Sequence, residues 1–195
     1  NAISGVESYH QTYADERNWG SYANAYANTS NEVSITVGWA QNYGEEARKL
    51  LQMIQSEYPS DFAKYDSAGI AGDLNRSWTS SPYYQPNKSS AKGQAIIAII
   101  TSDGGKKCQD ELFAQLMEKY LKNAVDFGVP VTNPVALCFF CEIEHLGGLK
   151  PVQRIFSRCN GDYSADNIMA SLKQDQNDTS KSQQVGDAIF WSRHE

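Results

Sequence analysis

One short alternating segment among long helical ones limits the folds open to this chain. In VSITVGW, residues 33–39, apolar residues alternate with small or polar ones, a pattern that predicts a β-strand. Alternation places Ser34 and Thr36 on one face of this strand. The other face carries the apolar set, which is Val33, Ile35, Val37 and Trp39. This is the clearest strand in the sequence.

Helical spacing dominates after the strand. It predicts an amphipathic helix in EEARKLLQMIQSEY and a buried helix in SSAKGQAIIAIITS. It also predicts a long helix that ends at Gly128 and one that begins after a capping Asn133 and stops at Gly147 and Gly148. Two or three further helices are expected around 151–158, 164–175 and 183–194, and a polar surface loop over 75–90.

Composition excludes several classes of protein. Hydrophobic residues make up 41% of the 195 residues and charged residues 21%, which is typical of a globular protein of about one domain. The net charge of −6 and the lack of a basic stripe argue against nucleic-acid binding. The longest apolar run, AIIAII, is too short to span a bilayer. We expect the four cysteines to be reduced, packed thiols, although their even number permits disulfides.

A glutamate interrupts the apolar face of the first predicted helix. In ISGVESYHQ, residues 3–11, Glu7 lies on the same side of a helix as Ile3 and Val6. Such a carboxyl group can serve structurally, by reaching a backbone donor or an arginine at the edge of the core. Alternatively, partly apolar surroundings raise the pKa of a carboxyl group, which is what the proton donor of a glycosidase needs at neutral pH.

The segments ESYHQTY and SITVGWAQNYGEEARKLL resemble the lysozyme-like superfamily, which includes lytic transglycosylases and goose-type lysozymes. The chain is more narrowly similar to glycosyl hydrolase domains of Gram-positive phage and prophage endolysins, including the catalytic subunit of a streptococcal phage lysin. The likeness runs from AISGVES through CQDELFAQL and IEHLGGLKPVQRIF to VGDAIFWSRH, nearly the whole chain. Where those relatives usually read E-S-G-G, this chain has Tyr9 and His10.

The resemblance implies a mainly α fold of the α+β lysozyme-like type. In it, a helical domain would carry a small β-element near its N-terminus, over the active-site cleft. Residues 1–195 would form a single lysozyme-like glycoside hydrolase domain, and we expect it to be excised from a larger lysin. The resemblance also implies that Glu7 is the catalytic acid and that GWAQ, residues 38–41, is the family's Gly-x-x-Gln motif.

A second carboxylate decides the mechanism. An inverting hydrolase holds a base roughly 6.5–9.5 Å from the acid, whereas a retaining one holds a nucleophile at roughly 5–5.5 Å. Glu32, at the mouth of the predicted strand, is the first choice, with Glu16 and Asp15 behind it. Glu32 could equally be a solvated residue at a strand end. A lytic transglycosylase would need only Glu7, because the 6-hydroxyl of the sugar attacks.

Other residues are expected to contact the sugar. A glutamine can hydrogen-bond an acetamido group and an aromatic ring can stack on a pyranose, although such residues also serve in turns and cores. The helix end CEIEHLGG corresponds in the resemblance to a Tyr-Asn-x-Gly segment that faces the cleft of transglycosylases. The substrate-binding candidates are therefore Gln41, Tyr43, Trp39, Tyr22, Tyr26, Glu144 and His145.

Metal sites are not predicted. Cys138 and Cys141 have no second pair of ligands at zinc spacing, and DQNDTSKSQQVG lacks the glycine and glutamate of a calcium loop. No nucleophile-elbow or papain-like signature surrounds any serine or cysteine.

The sequence thus predicts a peptidoglycan glycosidase that cuts a β-1,4 linkage of the GlcNAc–MurNAc glycan without a metal or cofactor. The alternatives are a lytic transglycosylase and a non-catalytic glycan-binding module on the same scaffold. Peptidoglycan strands would be the partner, with neither nucleic acid nor membrane, and cell-wall targeting would come from a separate domain or subunit. Because no signal peptide is visible, we expect cytoplasmic synthesis followed by holin-type release, or export by a missing segment, before action on the bacterial wall.

Overall fold

The chain is mainly helical and contains one small β-sheet. A computed structural model describes residues 17–178, with side chains for residues 17–175. Within these residues there are eight α-helices and a three-stranded antiparallel sheet, which confirms the mainly α prediction with its small β-element. The predicted helices around residues 3–11 and 183–194 lie outside the described residues. The chain divides into two compact units, Asn1–Phe113 and Ala114–Glu195.

Three two-residue strands form the sheet of the first unit, in the order β1-β2-β3. They are β1 Tyr22–Ala23, β2 Thr36–Val37 and β3 Asn42–Tyr43. β2 is much shorter than the predicted strand over 33–39. The chain turns at Gly38, whose φ is 80°, and the N–H of Val33 donates to the hydroxyl of Tyr43 at 3.0 Å rather than to a neighbouring strand.

Both faces of this segment are buried. Alternation put Ser34 and Thr36 on the face opposite the apolar set, and both are buried, as are Ile35, Val37 and Trp39. The hydroxyl of Ser34 donates to the carbonyl of Tyr84 at 2.9 Å, and that of Thr36 to Oε2 of Glu32 at 3.4 Å. Residues outside the sheet therefore bury the face that carries Ser34 and Thr36. The alternation of residues within one strand does not show whether other parts of the chain bury its second face.

Four helices and the start of a fifth complete the first unit. They are α1 Glu45–Glu57, α2 Pro59–Tyr65, α3 Ile70–Asp73, α4 Ala91–Thr101 and residues 103–113 of α5, Asp103–Phe127. α1 and α4 agree with the predicted helices. α2 and α3 occupy a stretch for which the sequence predicted no element.

The core of the first unit lies between the sheet and α1, α2 and α4. α1 packs against α2, α4 and β3 through its apolar face, whose helical spacing is that of the sequence pattern. The fully buried side chains include Ile35, Val37, Leu50, Leu51, Ile54, Trp78, Ile96 and Ile99. Each apolar side chain of this kind contributes about 1.5–3 kcal/mol when it is buried.

Helices alone form the described part of the second unit. They are residues 114–127 of α5, α6 Pro134–Gly147, α7 Leu149–Arg158 and α8 Ala165–Asp178. The predicted start of α6 is correct in detail: Oδ1 of Asn133 accepts a hydrogen bond from the N–H of Ala136 at 3.0 Å, and Pro134 is the first helical residue. The helix ends before Gly148, whose φ is 83°.

Aromatic rings fill the core of the second unit. Phe140 packs against two others, with its ring centroid 5.0 Å from that of Phe156 and 5.8 Å from that of Phe127. At the edge of this core the guanidinium of Arg154 donates to both oxygens of the buried carboxylate of Asp175, at 2.7 and 2.8 Å. This pair ties α7 to α8.

Candidate functional site

The predicted acid, Glu7, lies outside the described residues, as do Glu16 and Asp15. Their roles stay predictions. The described candidates belong to different units. The first unit holds Glu32, Gln41, Tyr22, Tyr26, Tyr43 and Trp39, and the second holds Glu144 and His145.

The GWAQ segment forms the turn between β2 and β3. The N–H of Gln41 donates to the carbonyl of Gly38 at 3.1 Å, and Gln41 has a φ of 52°, a left-handed conformation that is uncommon outside glycine. A Cβ at Gly38 would lie 2.5 Å from Oε1 of Gln109, so the turn needs a glycine there. The same Oε1 accepts from the N–H of Trp39 at 3.0 Å. The side chain of Gln109 therefore holds the turn in place.

The side chain of Gln41 is half-buried, and the nitrogen of its amide group is used in hydrogen bonds. Its Nε2 donates to the hydroxyl of Ser21 at 2.7 Å and to the carbonyl of Gly38 at 3.2 Å. Among the described residues its Oε1 has no hydrogen-bond partner. The amide is thus held in one orientation, with an acceptor oxygen that suits the N–H of an acetamido group.

Glu32 is half-buried and its carboxylate is held by two donors. Nδ2 of Asn28 donates to Oε2 at 2.9 Å, and the hydroxyl of Thr36 donates to the same oxygen at 3.4 Å. Oε1 has no such contact among the described residues. One oxygen of the carboxylate is therefore fixed by the protein, and the other remains as an acceptor.

Tyr26 presents its ring to solvent. Its side chain is 50% exposed, and its backbone has a φ of 63°. The N–H of Tyr26 donates to the carbonyl of Glu32 at 2.7 Å, and its hydroxyl accepts from Nε2 of Gln85 at 3.1 Å. Both ends of this residue are therefore anchored although half of it faces solvent.

Two other predicted sugar-contacting rings in the first unit are buried. Tyr22 is 8% exposed and its hydroxyl donates to the carbonyl of Pro86 at 2.7 Å, while burial raises its pKa above the usual value. Trp39 is 3% exposed, with its ring centroid 4.6 Å from that of Phe113 and 4.9 Å from the guanidinium carbon of Arg17. In the described structure these rings serve packing. Their roles in substrate binding stay predictions.

Tyr43 connects the sheet to the loop before β2. Its half-buried side chain uses the hydroxyl oxygen to accept the N–H of Val33 at 3.0 Å. Tyr43 and Gln85 therefore hold the two polar groups of Val33, since Nε2 of Gln85 donates to the Val33 carbonyl at 3.0 Å.

Glu144 is the most deeply buried of the predicted site residues that carry a carboxyl group within the described part of the chain. It is 4% exposed, and burial raises the pKa of its carboxyl group against the opposing effects of Asn123 and Lys119. Nδ2 of Asn123 donates to Oε1 at 2.6 Å, whereas Oε2 has no partner among the described residues. His145 is half-buried, with its ring centroid 6.0 Å from that of Tyr120. Both candidates belong to the second unit.

Sequence reasoning missed the role of residues 84–88, within the predicted surface loop. This segment lies against the sheet and its approach, and five hydrogen bonds hold it there. They join Tyr22 to Pro86, Asn24 to Lys88, Tyr26 to Gln85, Val33 to Gln85, and Ser34 to Tyr84. The aromatic and proline content of SPYYQPN was the available signal, since an aromatic ring carries a large apolar area that favours burial, as Tyr84 shows.

Glu45 was also missed, and it secures the start of this loop. Its Oε1 accepts from the hydroxyl of Ser77 at 2.6 Å and from the N–H of Trp78 at 2.7 Å. Burial alone would raise the pKa of Glu45, but hydrogen bonds outweigh it and lower the pKa to about 2. The donors are Ser77, Arg48, Thr79 and Trp78.

The described residues contain no metal cluster and no membrane span. Within residues 17–178 no group of three or more His, Cys, Asp and Glu side chains is arranged to hold a metal ion. No helix in this part of the chain has both the length and the apolar character needed to cross a bilayer. Comparisons with protein-family models, with curated proteins and with solved structures gave no match.

Proposed function

We propose that this chain is a peptidoglycan glycosidase on a lysozyme-like scaffold, and that Glu7 is its general acid. The substrate is the GlcNAc–MurNAc glycan of the bacterial cell wall, cut at a β-1,4 linkage. Two lines of support meet here. The sequence resembles lysozyme-like endolysin domains over nearly its whole length, and the described residues are mainly helical with one small antiparallel sheet.

The observation that carries the proposal is the GWAQ turn. Gly38 and Gln41 both have left-handed backbones, Gln109 braces the turn, and Ser21 orients the amide of Gln41. Glycine adopts this conformation freely, but Gln41 is strained by it, and strained residues held in one conformation are concentrated at sites of binding and catalysis. An oriented amide and a half-buried carboxylate, that of Glu32, on the same small sheet region are the equipment that recognition of an acetamido sugar requires.

In the proposed reaction the carboxyl group of Glu7 gives its proton to the bridging oxygen while an oxocarbenium-like transition state develops. Glu32 directs a water molecule or stabilises the developing charge, and Glu16 or Asp15 is the alternative for this role. The chemistry proposed uses no metal and no cofactor. In a transglycosylase, by contrast, the sugar's 6-hydroxyl would replace the water.

The decisive experiment is mass spectrometry of the fragments released from purified cell wall by the chain and by Glu7→Gln. Glu118→Gln, an exposed position on α5, is the matched control. New reducing ends from the unaltered chain and the control, but not from Glu7→Gln, support the hydrolase. Anhydro sugars instead identify a transglycosylase. Wall binding without cleavage by any variant overturns the enzymatic proposal and leaves a glycan-binding module.

The net charge of −6 bears on how the domain reaches its substrate. A Gram-positive wall is anionic, so long-range electrostatics oppose the approach of this chain. We therefore assign wall targeting to a separate domain or subunit. Strong binding of the isolated chain to walls at low salt would contradict this assignment.

A further inference from the structure

The segment 84–88 packs along one side of the small sheet. Its five hydrogen bonds reach residues within and after β1, and residues at the approach to β2. A loop fixed by so many contacts is a rigid part of the surface. Gln85 is the residue of this segment that contacts two positions of the sheet approach, Tyr26 and Val33.

The backbone conformation of Tyr26 is energetically unfavourable. A left-handed backbone at a bulky residue costs about 1 kcal/mol or more. Burial of the ring would offset that cost, but half of the side chain is exposed. The conformation persists because the N–H is bonded to the carbonyl of Glu32 and the hydroxyl to Gln85. The result is an aromatic face fixed towards solvent.

Gln85 fixes this ring through one nitrogen. Its exposed amide donates from Nε2 to the hydroxyl of Tyr26 at 3.1 Å and to the carbonyl of Val33 at 3.0 Å. Both donor positions are thereby used, so the amide oxygen is directed away from these contacts as an acceptor. Gln85 contacts the hydroxyl of Tyr26 and can act on a ligand by orienting the ring.

We infer that Tyr26 is a stacking platform for a pyranose ring of the glycan, and that Gln85 is the positioning residue for this platform. The inference rests on the proposed function in taking a wall glycan as the ligand. A pyranose has an apolar C–H face and a rim of hydroxyl donors. The ring of Tyr26 matches the face, while the carboxylate oxygens of the nearby Glu32 match the rim. The carboxylate of Glu32 favours an uncharged sugar over an anionic group.

The test is binding of a soluble tetramer of β-1,4-linked GlcNAc, measured by calorimetry in the Glu7→Gln background so that no turnover interferes. Tyr26→Asn removes the ring but keeps a residue that tolerates a left-handed backbone. We expect it to raise Kd by roughly tenfold, the equivalent of one good aromatic contact. Tyr83→Asn is the matched control, because Tyr83 is a 42% exposed tyrosine in the neighbouring loop.

The positioning role is tested by a double-mutant cycle. Gln85→Met removes both donated hydrogen bonds at similar length. We expect it to raise Kd about threefold in the Glu7→Gln background, and to raise KM about threefold with kcat unchanged in the chain that keeps Glu7. In a Tyr26→Phe background, which already lacks the hydroxyl, Gln85→Met should have no further effect. Equal effects in both backgrounds would show that Gln85 acts independently of Tyr26 and would overturn its assignment.

The inference and the proposed function fail in different ways. Cleavage of wall that is unaffected by Tyr26→Asn, with tetramer binding equal to that of Tyr83→Asn, overturns the platform and leaves the glycosidase. Binding of the tetramer that depends on Tyr26, without any cleavage of wall, supports the platform and removes the enzyme.

Discussion

The hydrogen bonds of the Glu32 carboxylate limit the roles that this residue can play. Its carboxylate accepts hydrogen bonds from Asn28 and Thr36 on one oxygen only. These bonds fix the group and, within the described part of the chain, leave the other oxygen free to accept. A solvated strand-end glutamate would need no such support. The arrangement is suited to a carboxylate that must keep one oxygen in place for a water molecule or a positive charge.

We predict that Glu32→Gln lowers the rate of wall cleavage by about 100-fold or more, the usual loss when a general base is removed. The melting temperature should stay close to that of the unaltered chain, because the glutamine oxygen can still accept from Asn28. Fragment release followed over time, with Glu118→Gln alongside, measures the effect. A rate within about twofold of the control would return Glu32 to a structural role and transfer the second carboxylate to Glu16 or Asp15.

At this scale the sequence indicated residues by chemical type, and it could not indicate partners. Glu32, Gln41 and Tyr26 were predicted as site residues because their side chains suit sugar chemistry within a resemblance, and they stay predictions. Gln85 was not found, since nothing in a polar loop shows that residue 85 lies beside residue 26. A contact across so many residues is a product of folding, and local patterns do not contain it.

Among the elements, the long periodic ones were predictable and the short ones were not. α1, α4, α5 and α6 each show several apolar positions at helical spacing, and their caps are visible as Gly128, Asn133 and Pro134. β1 has two residues and α3 four, too few for a period to appear. The length of β2 is set by its pairing with β1 and β3, which the alternating pattern does not show, so the sequence predicted too long a strand.

The contact between α4 and the 84–88 segment depends on one glycine. A Cβ on Gly93 would be far inside contact distance of the carbonyl oxygens of Asn87 and Lys88, which are backbone atoms and cannot turn aside. Gly72 in α3 is the opposite case, because a Cβ there meets nothing within 4 Å.

We predict that Gly93→Ala destabilises the chain by about 1–3 kcal/mol through overpacking. Gly72→Ala should instead be neutral or stabilising by up to about 1 kcal/mol through helix propensity. Denaturant unfolding of the two variants measures the difference. Equal stabilities would mean that the 84–88 segment moves away from α4 at no cost, contrary to its five hydrogen bonds.

At the scale of the whole molecule, the two units contain carboxyl groups with opposite responses to pH. Glu45 of the first unit has a pKa lowered from 4.5 to about 2, so it stabilises the fold above pH 4.5 and loses that contribution as the pH falls towards 2. Glu144 of the second unit has a raised pKa, so the fold is most favoured while it is protonated and is weakened as the pH rises through its folded value.

We predict that Glu45→Gln flattens the acid side of the stability profile and that Glu144→Gln flattens the side above pH 4.5. Because Glu45 is more than one third exposed, its effect will be reduced by solvent screening. Calorimetric unfolding across pH 2 to 8 distinguishes the two variants. Profiles that change on the same side, or not at all, would contradict these opposite assignments.

The mainly α class, which belongs to the molecule as a whole, followed from helical periodicity summed over many segments. The division into two compact units did not, since the long helix α5 contributes residues to both and no change of composition marks the boundary. Such units are defined by which distant residues pack together, and a linear pattern does not record that.

The four free cysteines give the molecule an internal reporter of its own opening. Cys138 is exposed, whereas Cys108 of the first unit and Cys141 and Cys159 of the second are buried. Burial raises the pKa of Cys108 to about 12 and that of Cys141 to about 11, so these thiols react slowly while they are covered. A thiol reagent therefore titrates one group at once and the others only as each unit opens. Mass mapping of the labelled cysteines would then time the opening of the two units separately, without any added probe.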